Sequence, residues 1–347
     1  MESQPLPALR PLRLGELLDQ AIRMYRRNFV TFIGIIAVVY VPLMVLQTAS
    51  TTVMTSAMSS AALSSTLDEL FANYAYWGGM LSTLIIAFLQ FIFVQGIATG
   101  ALTRAVADNY LGKPTSILDA YRGIGKSWLT LVGALLLVGI LVIVISLWWI
   151  VPCVGWFTGL GMLAYLGMAV SPMVAPVVVL EGQGMINSVQ RAWFLVRRRF
   201  WPVLGTIFVL YLFNLLIVNG PLAIVNAILG AVAPSFGDPA AQLVVTAIIQ
   251  AVVSIVFILI YYPLQMTAFT LIYFDLRVRT EGFDLALLMT GDASQALAAP
   301  IPQSKETLIT GADLGNFAIL TLAAFGLYIF LFSFIFGGIF FLGTLFN

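Results

Sequence analysis

The sequence predicts an all-α polytopic integral membrane protein. Its core is six helices in three units, each an interfacial helix followed by a two-span hairpin, and a seventh transmembrane helix follows at the C-terminal end. Three observations predict this. Of the 347 residues, 61% are hydrophobic and only 9% charged, with a mean hydropathy of +1.02, whereas soluble domains carry about a quarter charged residues. The charges divide the chain into six uncharged runs, 28–67, 70–103, 127–180, 200–237, 239–274 and 314–347. Each run exceeds the roughly 20 residues that cross about 30 Å of hydrocarbon as a helix. Third, with the N-terminus placed in the cytoplasm, all 16 Lys and Arg residues fall in cytoplasmic segments, and the external loops hold only Asp68, Glu69 and Asp238. The positive-inside rule therefore selects that orientation in a cytoplasmic membrane, and it puts the C-terminus outside.

The same composition excludes much chemistry. A single cysteine, Cys153, rules out an intrachain disulfide, and the absence of histidine removes the commonest general base and zinc ligand. A formal net charge of +1 gives no reason to expect nucleic acid. No cofactor or metal is expected, and no enzymatic activity.

Residues 1–28 form a cytoplasmic segment ending in an amphipathic helix, with Leu14, Leu18, Ile22, Tyr25 and Phe29 on one face and Arg23, Arg26 and Arg27 elsewhere. Such a helix lies in the headgroup layer. Because the first apolar run is long enough to span, an uncleaved anchor is expected rather than a signal peptide. The six-span domain covers 29–279, with crossings near 29–47, 77–103, 128–150, 156–180, 201–218 and 242–270. The run 127–180 holds two crossings, and Pro152, Cys153 and Gly155 mark the turn between them. Asn219, Gly220 and Pro221 end the fifth, so 221–233 reads as an interfacial or re-entrant piece. Residues 280–316, with Pro300 and Pro302, read as a cytoplasmic linker. Within 317–347 a final span near 317–345 is expected, the one least tied to the rest.

Three outward-going spans are preceded by similar amphipathic stretches: LLDQAIRMYRRNFVTFIG from Leu17, ILDAYRGIGKSWLTLVG from Ile117 and MINSVQRAWFLVRRRFWPVLG from Met185. These define units of about 14–104, 116–181 and 185–279 in parallel orientation.

The candidate functional residues fall in three groups. Arg23, Arg26 and Arg27, together with Arg197, Arg198 and Arg199 between Trp193 and Trp201, are placed to bind anionic lipid headgroups. The same clusters also serve orientation and anchoring. Gln95, Asn214 and Gln265 are polar groups in otherwise apolar spans. They would line a solute cavity beside the proline-kinked fourth and sixth helices, or simply bond helix to helix. Glu181, Asp275 and Arg277, where the fourth and sixth spans reach the cytoplasm, are candidates for an ion pair closing the bundle. Gly123 to Ser127 imitates the end of a phosphate-binding loop, but Ala120 stands where a glycine is needed and a membrane span follows, so nucleotide binding is discarded.

Three stretches carry a resemblance. They are Arg13 to Asp19 running on to Tyr25-Arg26-Arg27-Asn28-Phe29; Glu181-Gly182-Gln183-Gly184 followed by Arg191-Ala192-Trp193 and Arg199-Phe200-Trp201; and Tyr273 to Arg277 leading to Glu281-Gly282-Phe283-Asp284. In this order around the spans, they resemble the membrane-domain family named for its fusion to glycerophosphoryl diester phosphodiesterases. The resemblance covers roughly residues 10–290 and implies a six-helix membrane unit. In the fused enzymes catalysis belongs to a separate soluble barrel that uses carboxylates, a divalent metal and histidine. This chain has no room for that barrel and no histidine, so no catalytic residue carries over.

The expected function is therefore non-catalytic: scaffolding, docking of an unidentified membrane-protein partner, or organisation of membrane lipids, including anionic ones. Two alternatives are a permease for a neutral or amphiphilic solute, and a membrane enzyme acting on lipid headgroups through Glu181 and Asp275.

Overall fold

The computed structural model describes residues 10–61, 74–232, 239–291, 293–298, 307 and 309–345, and the regular structure among them is entirely helical. Among the described residues, seven helices are long and apolar enough to cross a membrane: Phe29–Ala57, Tyr76–Tyr110, Ser127–Trp148, Val154–Glu181, Phe200–Val232, Gln242–Glu281 and Gly311–Phe330. In chain order the helices are α1 (Leu14–Arg27), α2 (Phe29–Ala61), α3 (Tyr74–Gln90, continuing to Tyr110), α4 (Ile117–Gly123), α5 (Ser127–Trp148) and α6 (Val154–Ala164, continuing to Glu181). There follow α7 (Met185–Arg197), α8 (Phe200–Asn214, continuing to Val232), α9 (Pro239–Glu281), α10 (Phe283–Thr290), α11 (Ala293–Ala298) and α12 (Gly311–Leu345).

Three spans contain a widened π segment: Phe91–Ala98 in α3, Tyr165–Val170 in α6 and Leu215–Asn219 in α8. At their ends the amides of Thr99, Ser171 and Gly220 reach back five residues, to the carbonyls of Val94, Leu166 and Leu215. Two of these segments stand just before Pro172 and Pro221. A proline ring has no N–H to donate and crowds the carbonyl four residues back, and a π turn absorbs that misfit without ending the helix. This corrects the reading of the fifth span, because the helix runs through Pro221 to Val232 instead of stopping at 218.

The three returning helices end alike. After α3, α6 and α9 come Gly112, Gly182 and Gly282, with φ of 84°, 64° and 64°. This left-handed conformation favours a residue without Cβ and stops a helix cleanly. Each glycine leads into a short helix at the same end of the bundle, α4, α7 or α10, and α1 occupies the corresponding place before α2.

Helix α6 is the centre of the bundle. In its most apolar window 67% of residues are buried, against at most 28% in any other span. From Met173 to Leu180 every side chain is buried, Pro176 included. Pro176 of the fourth span thus sits in packed protein, while Pro172 is half-buried.

Glycines set the close helix approaches. A Cβ on Gly96 would lie 2.3 Å from Val132 Cγ2, and one on Gly161 would lie 2.0 Å from the Phe317 carbonyl oxygen. The second contact belongs to the last span, expected to be the least attached. Instead, Thr321 Oγ1 accepts from the Gly161 amide at 2.8 Å and donates to Phe317 O at 2.9 Å. The fully buried Phe317 ring meets those of Tyr165, Trp193 and Phe200. The segment expected to be a linker also begins with packed structure: Phe283 and Leu287 of α10 and Ala296 of α11 belong to the main core. Pro300, Pro302 and Lys305 lie outside the described residues, as do Asp68, Glu69 and Asp238.

Candidate functional site at the basic end of the bundle

The ends of α6 and α9 and the face of α7 converge in a buried ionic cluster. Glu181 is the last residue of α6 and Glu281 the last of α9, each immediately before a left-handed glycine. Arg191, on the inner face of α7, bonds both. Its Nε lies 3.0 Å from Glu181 Oε2 and its Nη2 3.2 Å from Glu181 Oε1. On its other side, Nη2 and Nη1 meet Glu281 Oε2 and Oε1 at 2.6 and 2.5 Å. The two-point contact with Glu181 is the strongest guanidinium–carboxylate arrangement, while Glu281 is held by a hydrogen bond to Oε2 alone, its Oε1 lying close to Nη1 without one. Burial opposes the charge on Arg191, but the bonds from Glu281 and Glu181 together outweigh it, holding the guanidinium above its ordinary range.

Arg277 completes the cluster. Its Nε lies 3.1 Å from Glu281 Oε2, its Nη1 donates to the Tyr273 hydroxyl at 3.2 Å, and its plane covers the Phe283 ring at 4.6 Å. Tyr273 in turn donates to Glu181 Oε1 at 2.9 Å. With side-chain exposures of 0% for Glu181, 9% for Arg191 and 5% for both Arg277 and Glu281, two carboxylates and two guanidiniums form a neutral, water-shielded unit. Isolated charges so placed would be very costly, so each needs its partners.

A second contact fixes α1. Asp275 Oδ1 accepts from the Leu12 amide at 2.7 Å, and Arg279 bonds both Asp275, at 2.8 and 2.9 Å, and the Leu12 carbonyl, at 2.6 Å. Helix α1 then lies with Leu17, Ala21 and Tyr25 buried. Leu14, Ile22 and Phe29 stay exposed, as do Arg23, Arg26 and Arg27. The apolar face of α1 is therefore packed on the protein along Leu17, Ala21 and Tyr25 and left exposed at Leu14 and Ile22; burial pushes the Tyr25 hydroxyl up to about 12.

The expected gate is thus only partly assembled as read. Glu181 lies 3.9 Å from Arg277, but its main partner is Arg191, and Asp275 pairs with Arg279 instead. Arg191, Glu281 and Arg279 carried no assigned role in the sequence reading. Their signals were present: the i,i+4 spacing of Arg277 to Glu281 and of Asp275 to Arg279, and the matching Glu-Gly pairs at 181–182 and 281–282.

Of the lipid candidates, Arg197 is engaged within the protein. It donates to Thr307 O at 2.7 Å and lies 3.6 Å from Asp313 Oδ2, tying α7 to the start of α12. Arg198 is exposed and Arg199 half-buried. The cavity candidates are not brought together. Gln95 is exposed and accepts from Tyr262 at 3.3 Å, Asn214 accepts from Asn219 at 3.1 Å, and Gln265 is buried. Tyr262 also bonds Thr99 at 2.7 Å, and Tyr261 donates to the Leu210 carbonyl. Two consecutive tyrosines before Pro263 thereby hold α3 and α8 beside their π segments.

Among the described residues, clefts of about 480, 430 and 490 Å³ open at the basic end, and none of these is lined by Gln95, Asn214 or Gln265. Among the described residues, no group of three or more His, Cys, Asp or Glu is arranged to hold a metal ion. Compared with family models, curated proteins and solved structures, the chain matches none.

Proposed function

We propose that this is a non-catalytic protein of a prokaryotic cytoplasmic membrane, with its N-terminus inside, that gathers anionic lipid at its cytoplasmic face and docks partners there. The single observation that carries the reading is the outer side of α1. Arg23, Arg26 and Arg27 are exposed and no described carboxylate pairs with them, and the same helix leaves Leu14 and Ile22 exposed, with Phe29 exposed at the start of α2. A helix of this kind, fixed to the protein by Asp275 and Arg279, presents cations at headgroup depth while its apolar side enters the lipid. By contrast Glu181, Asp275, Glu281 and Asp313 are all engaged by arginines. They are left without the freedom expected of a general acid or base. The three motif stretches meet around this junction, which supports assigning the chain to the membrane-domain family found fused to glycerophosphodiester phosphodiesterases, without that enzyme's activity.

Purification in native nanodiscs from membranes at ordinary expression, with mass spectrometry of copurifying lipids and proteins, tests the reading. Enrichment of anionic lipid, or a stoichiometric protein partner, is expected. A chain holding one defined polar solute and no such enrichment would move the assignment to transport, and phosphodiester hydrolysis by the purified chain would overturn it.

A further inference from the structure

The cleft of about 480 Å³ lies between α1, the first two turns of α8 and the last two turns of α9. Its two long walls run antiparallel, and each carries an arginine at the same end. Along α8 the lining runs from Arg199 through Pro202, Val203 and Gly205 to Thr206; along α9 it runs from Arg279 through Leu276 and Asp275 to Ile272. Seven residues of helix span about 10 Å, the depth from a lipid phosphate to the first acyl carbons. Arg13 of α1 stands at the polar end. Because Asp275 and Arg279 neutralise each other, the charge offered there is that of Arg13 and Arg199, and the Arg199 side chain makes no hydrogen bond or ion pair among the described residues. Gly205, on the lining, is exposed, and an added Cβ there would meet nothing within 4 Å.

We infer that this cleft binds a single anionic phospholipid, with the phosphate between Arg13 and Arg199 and one acyl chain running past Gly205 along Val203 and Ile272. The inference rests on the lipid reading above and narrows it to one discrete site. A guanidinium pair above an apolar groove complements a phosphate esterified to a hydrocarbon chain; a soluble phosphate would use only the upper half.

The test is native mass spectrometry of the detergent-solubilised full chain titrated with phosphatidylglycerol, with phosphatidylcholine and with inorganic phosphate. One phosphatidylglycerol should be retained in preference to phosphatidylcholine. Arg199→Gln should weaken it about tenfold, the loss of one charge-assisted contact. Gly205→Leu should weaken it at least as much by filling the groove, and Arg13→Gln provides an independent check on the headgroup end. If Arg23→Gln/Arg26→Gln/Arg27→Gln abolishes retention while Arg199→Gln and Gly205→Leu leave it unchanged, the cleft is overturned but the lipid reading stands. If no variant alters retention, both fail. Competition by inorganic phosphate with Gly205→Leu silent would make the ligand a soluble phosphate and remove the acyl groove.

Discussion

Glu181 and Glu281, the last residues of two returning helices, grip the same guanidinium of Arg191 from opposite sides, at 3.0 and 2.6 Å. Each is followed by a left-handed glycine that turns the chain into a short helix along the end of the bundle. The pair therefore joins α6, α7 and α9 at the point where all three change direction. The joint is electrically neutral only while both arginines are present.

Replacing Arg191 by methionine keeps much of its volume but leaves two buried carboxylates with one arginine. A loss of about 3–5 kcal/mol is expected, as for other broken buried ion pairs, read as a shifted midpoint in a dodecyl sulfate unfolding titration. Adding Glu181→Gln to this variant leaves Arg277 paired with Glu281 and should recover part of the loss. Equal stability of Arg191→Met and the parent would show that the cluster contributes nothing.

Asp275→Asn keeps the shape of the acceptor for Leu12 but weakens its hold on Arg279. The cost should be about 1.5–3 kcal/mol at the α1 contact, too local to unfold the bundle. Hydrogen exchange should rise in residues 14–27 and stay unchanged in α6.

Gly161→Leu should push α12 off α6, because its Cβ would fall on the Phe317 carbonyl. In a Cys153→Ser background, a cysteine replacing the fully buried Thr321 should resist maleimide with Gly161 present and react once Gly161→Leu is added. Protection in both would mean that α12 docks by other contacts.

Tyr262→Phe removes the bond to Thr99, and membrane hydrogen bonds of this type average about 0.6 kcal/mol. A small loss of stability with no effect on solute flux in proteoliposomes is expected. A change in flux with unchanged stability would favour a cavity at Gln95.

The spans were legible because uncharged runs and helix length fix them almost alone, as with Ser127–Trp148 against the expected 128–150. The path through Pro221 was not, since a π turn leaves no composition signal and a proline after Asn219-Gly220 reads locally as a stop. The docking of α12 was hidden for another reason. Gly161, Thr321 and Phe317 each look ordinary, and only their meeting across 160 residues shows a joint. At the candidate site, Glu181 and Arg277 could be singled out as charges at span ends. Arg191 resembled any other basic residue of an interfacial helix, and its inward direction follows from α7 turning Ser188, Arg191, Ala192 and Leu195 toward the core.

The most direct test of the lipid-gathering role compares the lipid shell with the surrounding bilayer. Polymer-extracted discs of the parent and of Arg23→Gln/Arg26→Gln/Arg27→Gln would be analysed for their ratio of anionic to zwitterionic lipid. The parent should be enriched in anionic lipid over the bulk membrane, less so when extracted at high salt, where exposed charges are screened, and the triple variant should fall to the bulk ratio. A parent shell of bulk composition, unchanged by the three substitutions, would contradict the account.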